Sequence, residues 1–289
     1  MRLADHFERA AAAYPERVAF RGAGQALTYA QARERAEGIA AALHARGLAS
    51  AHVAVLSPNH PSAFCCLLGI FRAGGCWLPV NMRNPATLNA DLLRRMDCEV
   101  LFFHASQEAQ AAQLVREVPS IRCAICFGGT GAYLGGPSIS FEEFLAAARE
   151  CAPWPGDWPG RLETLFPTGG TTGLPKAARW TQRTWSAGIA AFWTCLPCGD
   201  PPVHLLAAPM THGAGMMALF MLPMAPTQVM LDSADPATVL EAIQGCRPTH
   251  LYLPPTVIYG ILAHPRAREI DYSSLRYLVT AGAPIAPEK

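Results

Sequence analysis

Residues 165–179 read LFPTGGTTGLPKAAR. An apolar run, Leu162, Leu165 and Phe166, reads as a strand that ends at Pro167. The next six residues, Thr168, Gly169, Gly170, Thr171, Thr172 and Gly173, supply three glycines and three threonines. A strand opening into such a loop has the pattern of a phosphate cradle. Glycine admits positive φ angles and close approach of the backbone, so successive N–H groups can meet an anion, and threonine hydroxyls add donors or a metal ligand. Lys176 brings the full positive charge. Of the 23 basic residues only Lys176 and Lys289 are lysine, so a lysine at this place stands out against an arginine background. A compact ammonium suits polyphosphate as a point charge, where the planar arginine fork would ask for bidentate geometry.

The spacing is not that of the Walker A loop. Lys176 stands three places after Gly173 rather than one, Pro175 intervenes, and Ala177 occupies the position of the magnesium-binding hydroxyl. A Gly/Thr-rich surface loop without a ligand is the structural alternative.

Outward from this loop, the 289 residues suffice for one large or two ordinary domains. Apolar residues make up 51% and charged residues 16%, with a net charge of +1 and scattered bases. No nucleic-acid stripe or membrane-surface patch is present. Charges run through residues 1–18, where an export signal would need an unbroken apolar core, and Pro223 interrupts the longest apolar run, 213–224, short of the roughly 20 residues of a spanning helix. A soluble, cytoplasmic protein without a membrane span and without nucleic-acid partners is expected. Two CxxC pairs, Cys123 with Cys126 and Cys195 with Cys198, lie too far apart for a shared zinc site, and the expectation for both is buried free thiols.

Upstream, helices are expected at 3–13 and 29–44. Strands at 52–56, 76–80, 99–103 and 121–127 then alternate with helices at 61–73, 85–97 and 107–118. Short continuous apolar strands between helices signal a parallel sheet covered on both faces. A helix at 141–150 closes this unit, and CAPWPGDWPG, residues 151–160, reads as a connection. Downstream of the loop, helices at 184–195, 214–222, 237–245 and 256–262 alternate with strands at 203–207, 227–231, 250–253 and 277–280. The expected architecture is α/β: two packed subdomains of mostly parallel sheet flanked by helices, residues 1–160 and 161–289. The loop and the turn at 282–284 are both expected at carboxyl strand ends of one sheet, where open α/β sheets bind ligands.

The loop resembles the phosphate-loop signature of the adenylate-forming superfamily, the AMP-dependent synthetases and ligases that include acyl-CoA synthetases. Thr168, Gly170, Thr171, Thr172, Gly173, Pro175 and Lys176 match in register, while Pro167, Gly169 and Ala177 depart from the pattern. FRAGGCWLPVN (71–81), PMTHGAG (209–215) and LRYLVTAGAPI (275–285) are similar to an early core segment, a substrate-side segment and an adenine-contacting turn of that family. The resemblance implies a truncated part of the large N-terminal domain of acyl-CoA synthetases. It implies ATP, Mg2+ and coenzyme A as cofactors and a small-molecule carboxylic acid, fatty or aryl, as substrate. By the same resemblance Thr168, Gly169, Gly170, Thr171, Thr172, Gly173 and Lys176 bind phosphate, with Thr168 as metal ligand. Gly282, Ala283 and Pro284 contact adenine, and Lys176 and His212 carry the chemistry. His212 can equally be a structural histidine, and the methionines at 210, 216, 217, 221 and 224 core filler.

The superfamily also implies further segments after residue 289, among them a magnesium-holding glutamate and a C-terminal domain with the adenylation lysine. This chain alone is therefore expected to be inactive. A nucleotide-binding module without turnover and an adenylation domain that loads a carrier protein are the alternatives, and homo-oligomerisation stays open.

Overall fold

The computed structural model describes residues 1–129, 136–149, 162–168 and 176–286. In chain order its helices are α1 (Leu3–Ala13), α2 (Tyr29–Ala45), α3 (Pro61–Arg72), α4 (Ala86–Arg95), α5 (Glu108–Glu117), α6 (Phe141–Arg149), α7 (Gln182–Cys195), α8 (Gly213–Phe220), α9 (Pro236–Cys246) and α10 (Pro255–Ala263). Its strands are β1 (Val18–Gly22), β2 (Gln25–Thr28), β3 (His52–Leu56), β4 (Cys76–Pro79), β5 (Val100–His104), β6 (Cys123–Phe127), β7 (Ser138–Ser140), β8 (Leu162–Thr168), β9 (Lys176–Thr181), β10 (Val203–Leu206), β11 (Thr227–Met230), β12 (His250–Tyr252) and β13 (Tyr277–Val279). The expected mixed α/β architecture with two mostly parallel sheets is what the chain forms.

The division differs from the expected break at 160. One unit takes residues 1–5, 31–58 and 62–187, the other 6–30, 59–61 and the chain from 188 onward. The first unit holds a seven-stranded sheet in the order β7-β6-β5-β3-β4-β8-β9, parallel except for the antiparallel β8–β9 pair. Continuous apolar strands such as VLFFH in β5 are buried on both faces, as a helix-covered parallel sheet requires. Leu56, Leu78, Leu101, Phe103 and Leu114 belong to its core.

Aromatic packing explains why β8 belongs here and does not open a second domain. Thr164 pairs with Trp77 of β4. Phe166 stands edge-on to Trp77 at 5.6 Å and to Trp180 at 5.5 Å, and Trp180 lies 4.8 Å from Trp185 of α7. Trp185 Nε1 also donates to Thr164 Oγ1 at 3.3 Å. Such ring pairs add to the stability gained from area burial alone, and they seat the β8–β9 hairpin beside β4.

The second unit holds a six-stranded sheet in the order β13-β12-β10-β11-β1-β2. The β1–β2 hairpin, absent from the sequence reading, turns at Ala23 and Gly24, both with positive φ (49° and 70°), as a two-residue hairpin loop prefers. It docks parallel to β11, with Phe20 opposite Gln228 and Thr227 Oγ1 donating to the Val18 carbonyl at 2.7 Å. Leu205, Val229, Val239, Leu240, Ile243 and Leu251 form this unit's core. β13 is an edge strand, and an apolar groove of about 450 Å³ lies beside it, lined by Leu251, Leu253, Ile261, Leu262 and Leu278 among others. Residues 282–284 follow β13 in this sheet. The expectation that they share a sheet with the phosphate loop is therefore corrected.

Cys123 and Cys126 are buried in β6, as expected, and burial raises the Cys123 thiol pKa. Cys195 is exposed and Cys198 half-buried at the end of α7, so burial does not extend to the second pair. Among the described residues no group of three or more His, Cys, Asp or Glu side chains is placed to hold a metal ion, and no helix is long and apolar enough to cross a membrane.

Candidate functional site

In the first unit the chain runs along β8, leaves at Thr168, and re-enters at Lys176, the first residue of β9. Thr168 and Lys176 are register partners, and Thr168 Oγ1 donates to the Lys176 carbonyl at 3.2 Å. The hairpin thus closes the base of the glycine- and threonine-rich segment. Gly169, Gly170, Thr171, Thr172 and Gly173 lie outside the described residues. β9 was invisible in the sequence because its exposed KAARWT has little strand-like alternation; what builds it is pairing with β8. Both Thr168 and Lys176 are exposed. A hydroxyl that donates to a carbonyl keeps its oxygen lone pairs for a cation, and the ammonium has three donors for anionic oxygens. The donor set at this hairpin mouth fits a magnesium polyphosphate.

In the second unit β10 ends at Leu206 and leads into residues 209–215. His212 caps the start of α8 with an extended backbone, and its Nδ1 lies 2.9 Å from Thr211 Oγ1. The His212 side chain is exposed and Thr211 is buried. The two glycines of this segment have a packing reason. A Cβ on Gly215 would sit 1.6 Å from the Met210 carbonyl oxygen, and one on Gly213 would sit 2.5 Å from the Tyr252 hydroxyl. Glycine is required at 215, where the obstacle is backbone, while a side chain at 213 would have to displace the tip of the Tyr252 ring.

Asn59, which the sequence reading passed over, holds this turn. Its Nδ2 lies within hydrogen-bond distance of the carbonyls of Leu206 (3.2 Å), Ala208 (3.0 Å) and Leu231 (2.8 Å), and its Oδ1 accepts from Met210 N at 2.8 Å. One buried amide therefore satisfies backbone groups just after β10 and β11. The only sequence signal was a polar residue between a strand and a helix.

Met217, Met221 and Met224 cluster with Phe192, Cys198, Tyr252 and Val279. All three methionines are buried, whereas Met216 is half-buried. After β13, Gly282 has φ +91° with open space where a Cβ would stand, and Ala283 and Pro284 are exposed. A residue with a side chain would be strained at that φ.

Residues 7–289 match the family model described as AMP-binding enzyme. The chain is 33% identical over 279 residues to a feruloyl-CoA synthase of Amycolatopsis sp, covering 94% of this chain and 52% of that protein. It is 29% identical over 297 residues to an indoleacetate--CoA ligase of Aromatoleum aromaticum, covering 100% and 56%. Among solved structures, the amide bond synthetase McbA from Marinactinospora thermotolerans superposes with a TM-score of 0.84 at 27% identity, over 100% of this chain and 56% of that one. The chain spans about half the length of the curated relatives it matches. With a match across nearly all its residues, and with Thr168 and Lys176 paired at the mouth of the signature loop, the chain belongs to the AMP-binding enzyme family of adenylate-forming proteins.

Proposed function

We propose that this chain provides the ATP- and acid-binding part of an enzyme that activates a carboxylic acid, fatty or aryl, to an acyl-adenylate and passes the acyl group to coenzyme A. The observation that carries this reading is the pairing of Thr168 with Lys176 at the two ends of a Gly/Thr loop. A carboxylate is itself the nucleophile and needs no general base, so such a protein must position ATP and stabilise charge on the departing pyrophosphate. Lys176, the N–H groups and hydroxyls of residues 169–173, and Thr168 are assigned to the phosphates. Thr168 is assigned to Mg2+, which supplies charge neutralisation when bound. Gly282, Ala283 and Pro284 are assigned to the adenine, where open space at Gly282 leaves room for a flat ring against the backbone.

The acid is assigned to residues 209–215. Thr211 and His212 stand there without a carboxylate, which favours an uncharged acyl or aryl group over the ammonium of an amino acid. The aryl acids in the names of the feruloyl-CoA and indoleacetate relatives support the same choice. The chain by itself is proposed to bind nucleotide without turnover.

Calorimetric titration of the chain with Mg-ATP tests the reading. Lys176→Ala should weaken binding by at least about tenfold, as loss of a charge-assisted contact implies. In a longer protein containing this chain, ATP–pyrophosphate exchange should require an organic acid. Equal ATP affinity for both proteins removes Lys176 from the phosphate site, and an absence of ATP binding overturns the proposal.

A further inference from the structure

The two CxxC pairs share a spacing and differ in setting. Cys123 and Cys126 are the first and fourth residues of β6, and both are buried. A strand rises about 3.3 Å per residue, so their Cα atoms stand about 10 Å apart, beyond the roughly 7 Å that a disulfide can span. Their side chains also point to opposite faces of the sheet.

Cys195 is the last residue of α7, and Cys198 follows three places on. Leu196 N–H still donates to the Phe192 carbonyl at 2.8 Å, so the helical turn carries through Cys195. The chain then bends at Leu196, and Pro197, which has no N–H, cannot extend the helix. Residues three apart on a helical turn have Cβ atoms about 5–6 Å apart, so this pair starts close to the range of a disulfide. The link between the two cysteines is anchored: the Tyr277 hydroxyl donates to the Pro197 carbonyl at 3.0 Å, and Cys198 packs against Met217, Met221 and Met224. The Cys198 thiol donates to the Asp200 carbonyl at 2.8 Å, and a thiol is a weak donor, so this contact opposes rotation of the sulfur only slightly. Among the described cysteines Cys195 is exposed, Cys198 and Cys246 are half-buried, and the other six are buried. An oxidant therefore meets Cys195 first, with Cys198 beside it to resolve the product.

We propose that Cys195 and Cys198 form an oxidative modification site, which a hydroperoxide converts to a reversible intramolecular disulfide. The Cys195 sulfur attacks the peroxide, an S–O bond forms as the O–O bond breaks, and the departing oxygen leaves as hydroxide. The Cys198 sulfur then attacks the Cys195 sulfenic acid, an S–S bond forms, and the S–O oxygen leaves as water. Two thiols are oxidised by two electrons in all, and the two oxygens of hydrogen peroxide end as two waters. A ring this small gains little from chain entropy, so the bond is open to reduction by a dithiol.

The test treats the 289-residue chain with a small excess of hydrogen peroxide, blocks free thiols with iodoacetamide and weighs the peptides from cleavage before aspartate. The peptide of residues 157–199 holds Cys195 and Cys198 and no other cysteine. It should lose two hydrogens and take up no iodoacetamide, and dithiothreitol should restore both thiols, while Cys123 and Cys126 stay reduced. Cys198→Ser should stop at a Cys195 sulfenic acid that dimedone traps. Cys195→Ser should slow oxidation of Cys198 by at least about fivefold, because the exposed first acceptor is gone. The wild-type peptide alone decides the matter should either variant not fold. Cys195 joined to any other cysteine, Cys151 or a second copy included, overturns the proposal. So does a Cys195 sulfinic or sulfonic acid with Cys198 still free, or an unmodified pair.

Discussion

Thr168 and Lys176 face each other on the last rung of the β8–β9 hairpin, where the threonine hydroxyl donates to the lysine carbonyl at 3.2 Å. The chain therefore leaves and re-enters the sheet at one paired rung. The same oxygen can still face a cation. Thr168→Ser should retain magnesium-dependent nucleotide binding, whereas Thr168→Val should lose about 1 kcal/mol or more of it, the worth of one hydrogen-bonding group. AMP affinity, which involves no β- or γ-phosphate, should barely change. Parallel titrations with Mg-ATP, with ATP in EDTA and with AMP check this. An equal loss for all three would mean that the hydroxyl serves only the hairpin.

Asn59 carries a larger share of stability than its place in a connection implies. Removing its side chain deprives the Met210 N–H of its acceptor and the carbonyls at 208 and 231 of their donor, while the carbonyl at 206 still accepts from Leu231 N–H at 3.0 Å; the cost is about 1–3 kcal/mol per unsatisfied group, moderated by water that enters. Asn59→Ala should lower the unfolding free energy by roughly 3 kcal/mol. Asn59→Asp should also destabilise, because it deletes the donor and adds a charge. Urea melts of the three proteins decide the matter, and a loss under about 0.5 kcal/mol for Asn59→Ala would show that the turn holds without it.

The parts of the fold legible in the sequence were those that use continuous apolar runs. His52–Leu56 has the expected bounds, and the helix–strand alternation of both sheets follows the pattern. The strands that escaped, β1, β2, β7 and β9, are short or part-exposed, and long-range pairing stabilises them more than their own composition does. A proline-rich connection such as 151–160 marks a break in local sequence pattern, whereas the grouping of strands into units follows which sheet each strand completes. Trp77, Phe166 and Trp180 make that choice through ring contacts across some hundred residues. At the candidate site the residue types of Lys176 and Thr168 were legible, whereas the hairpin register that pairs them was not. Asn59, Gly213 and Gly215 were not readable as supports, because their partners are backbone atoms and a ring that only the fold brings near.

Gln228, His204, His250 and Tyr277 stand side by side at one level of four adjacent strands. Both imidazoles are buried. His204 Nδ1 meets Gln228 Oε1 at 2.5 Å, while Nε2 of each histidine has no hydrogen-bond partner among the described residues. Burial depresses the His204 pKa to about 4, with His250 adding to the effect; His250 is lowered by burial and then by the nearby Arg276. The fold thus holds neutral imidazole, whereas an unfolded histidine gains its proton below about 6.5. The stabilisation is complete above about pH 6.5 and declines as pH falls toward 4, by about 1–3 kcal/mol for His204. His204→Gln should flatten the fall in urea midpoint between pH 6.5 and 4.5. An unaltered slope would place the acid sensitivity elsewhere.

Glu163 titrates in the opposite sense. It sits on β8, five residues before Thr168, and is only 4% exposed. Burial raises its pKa to about 7, and the hydrogen bond from the Leu3 backbone N–H and the charge of Arg2 offset only part of that rise. Its Oε2 has no hydrogen-bond partner among the described residues. The fold therefore favours the protonated carboxyl, which contributes stability that is fully present below the unfolded value near 4.5 and is lost as pH rises through 7. Glu163→Gln keeps an acceptor for the Leu3 N–H and removes the ionisation. At pH 8 it should be more stable than wild type by about 1–3 kcal/mol, and at pH 4.5 the two should differ little. Because β8 leads directly to Thr168, the substitution should also leave Mg-ATP affinity less dependent on pH between 6 and 8. Thermal melts across pH 4.5–8.5, run beside the titrations, measure both effects. A variant that is less stable than wild type at pH 8 would mean that the carboxylate is held charged by its neighbours, and that the strand entering the phosphate loop carries no buried proton.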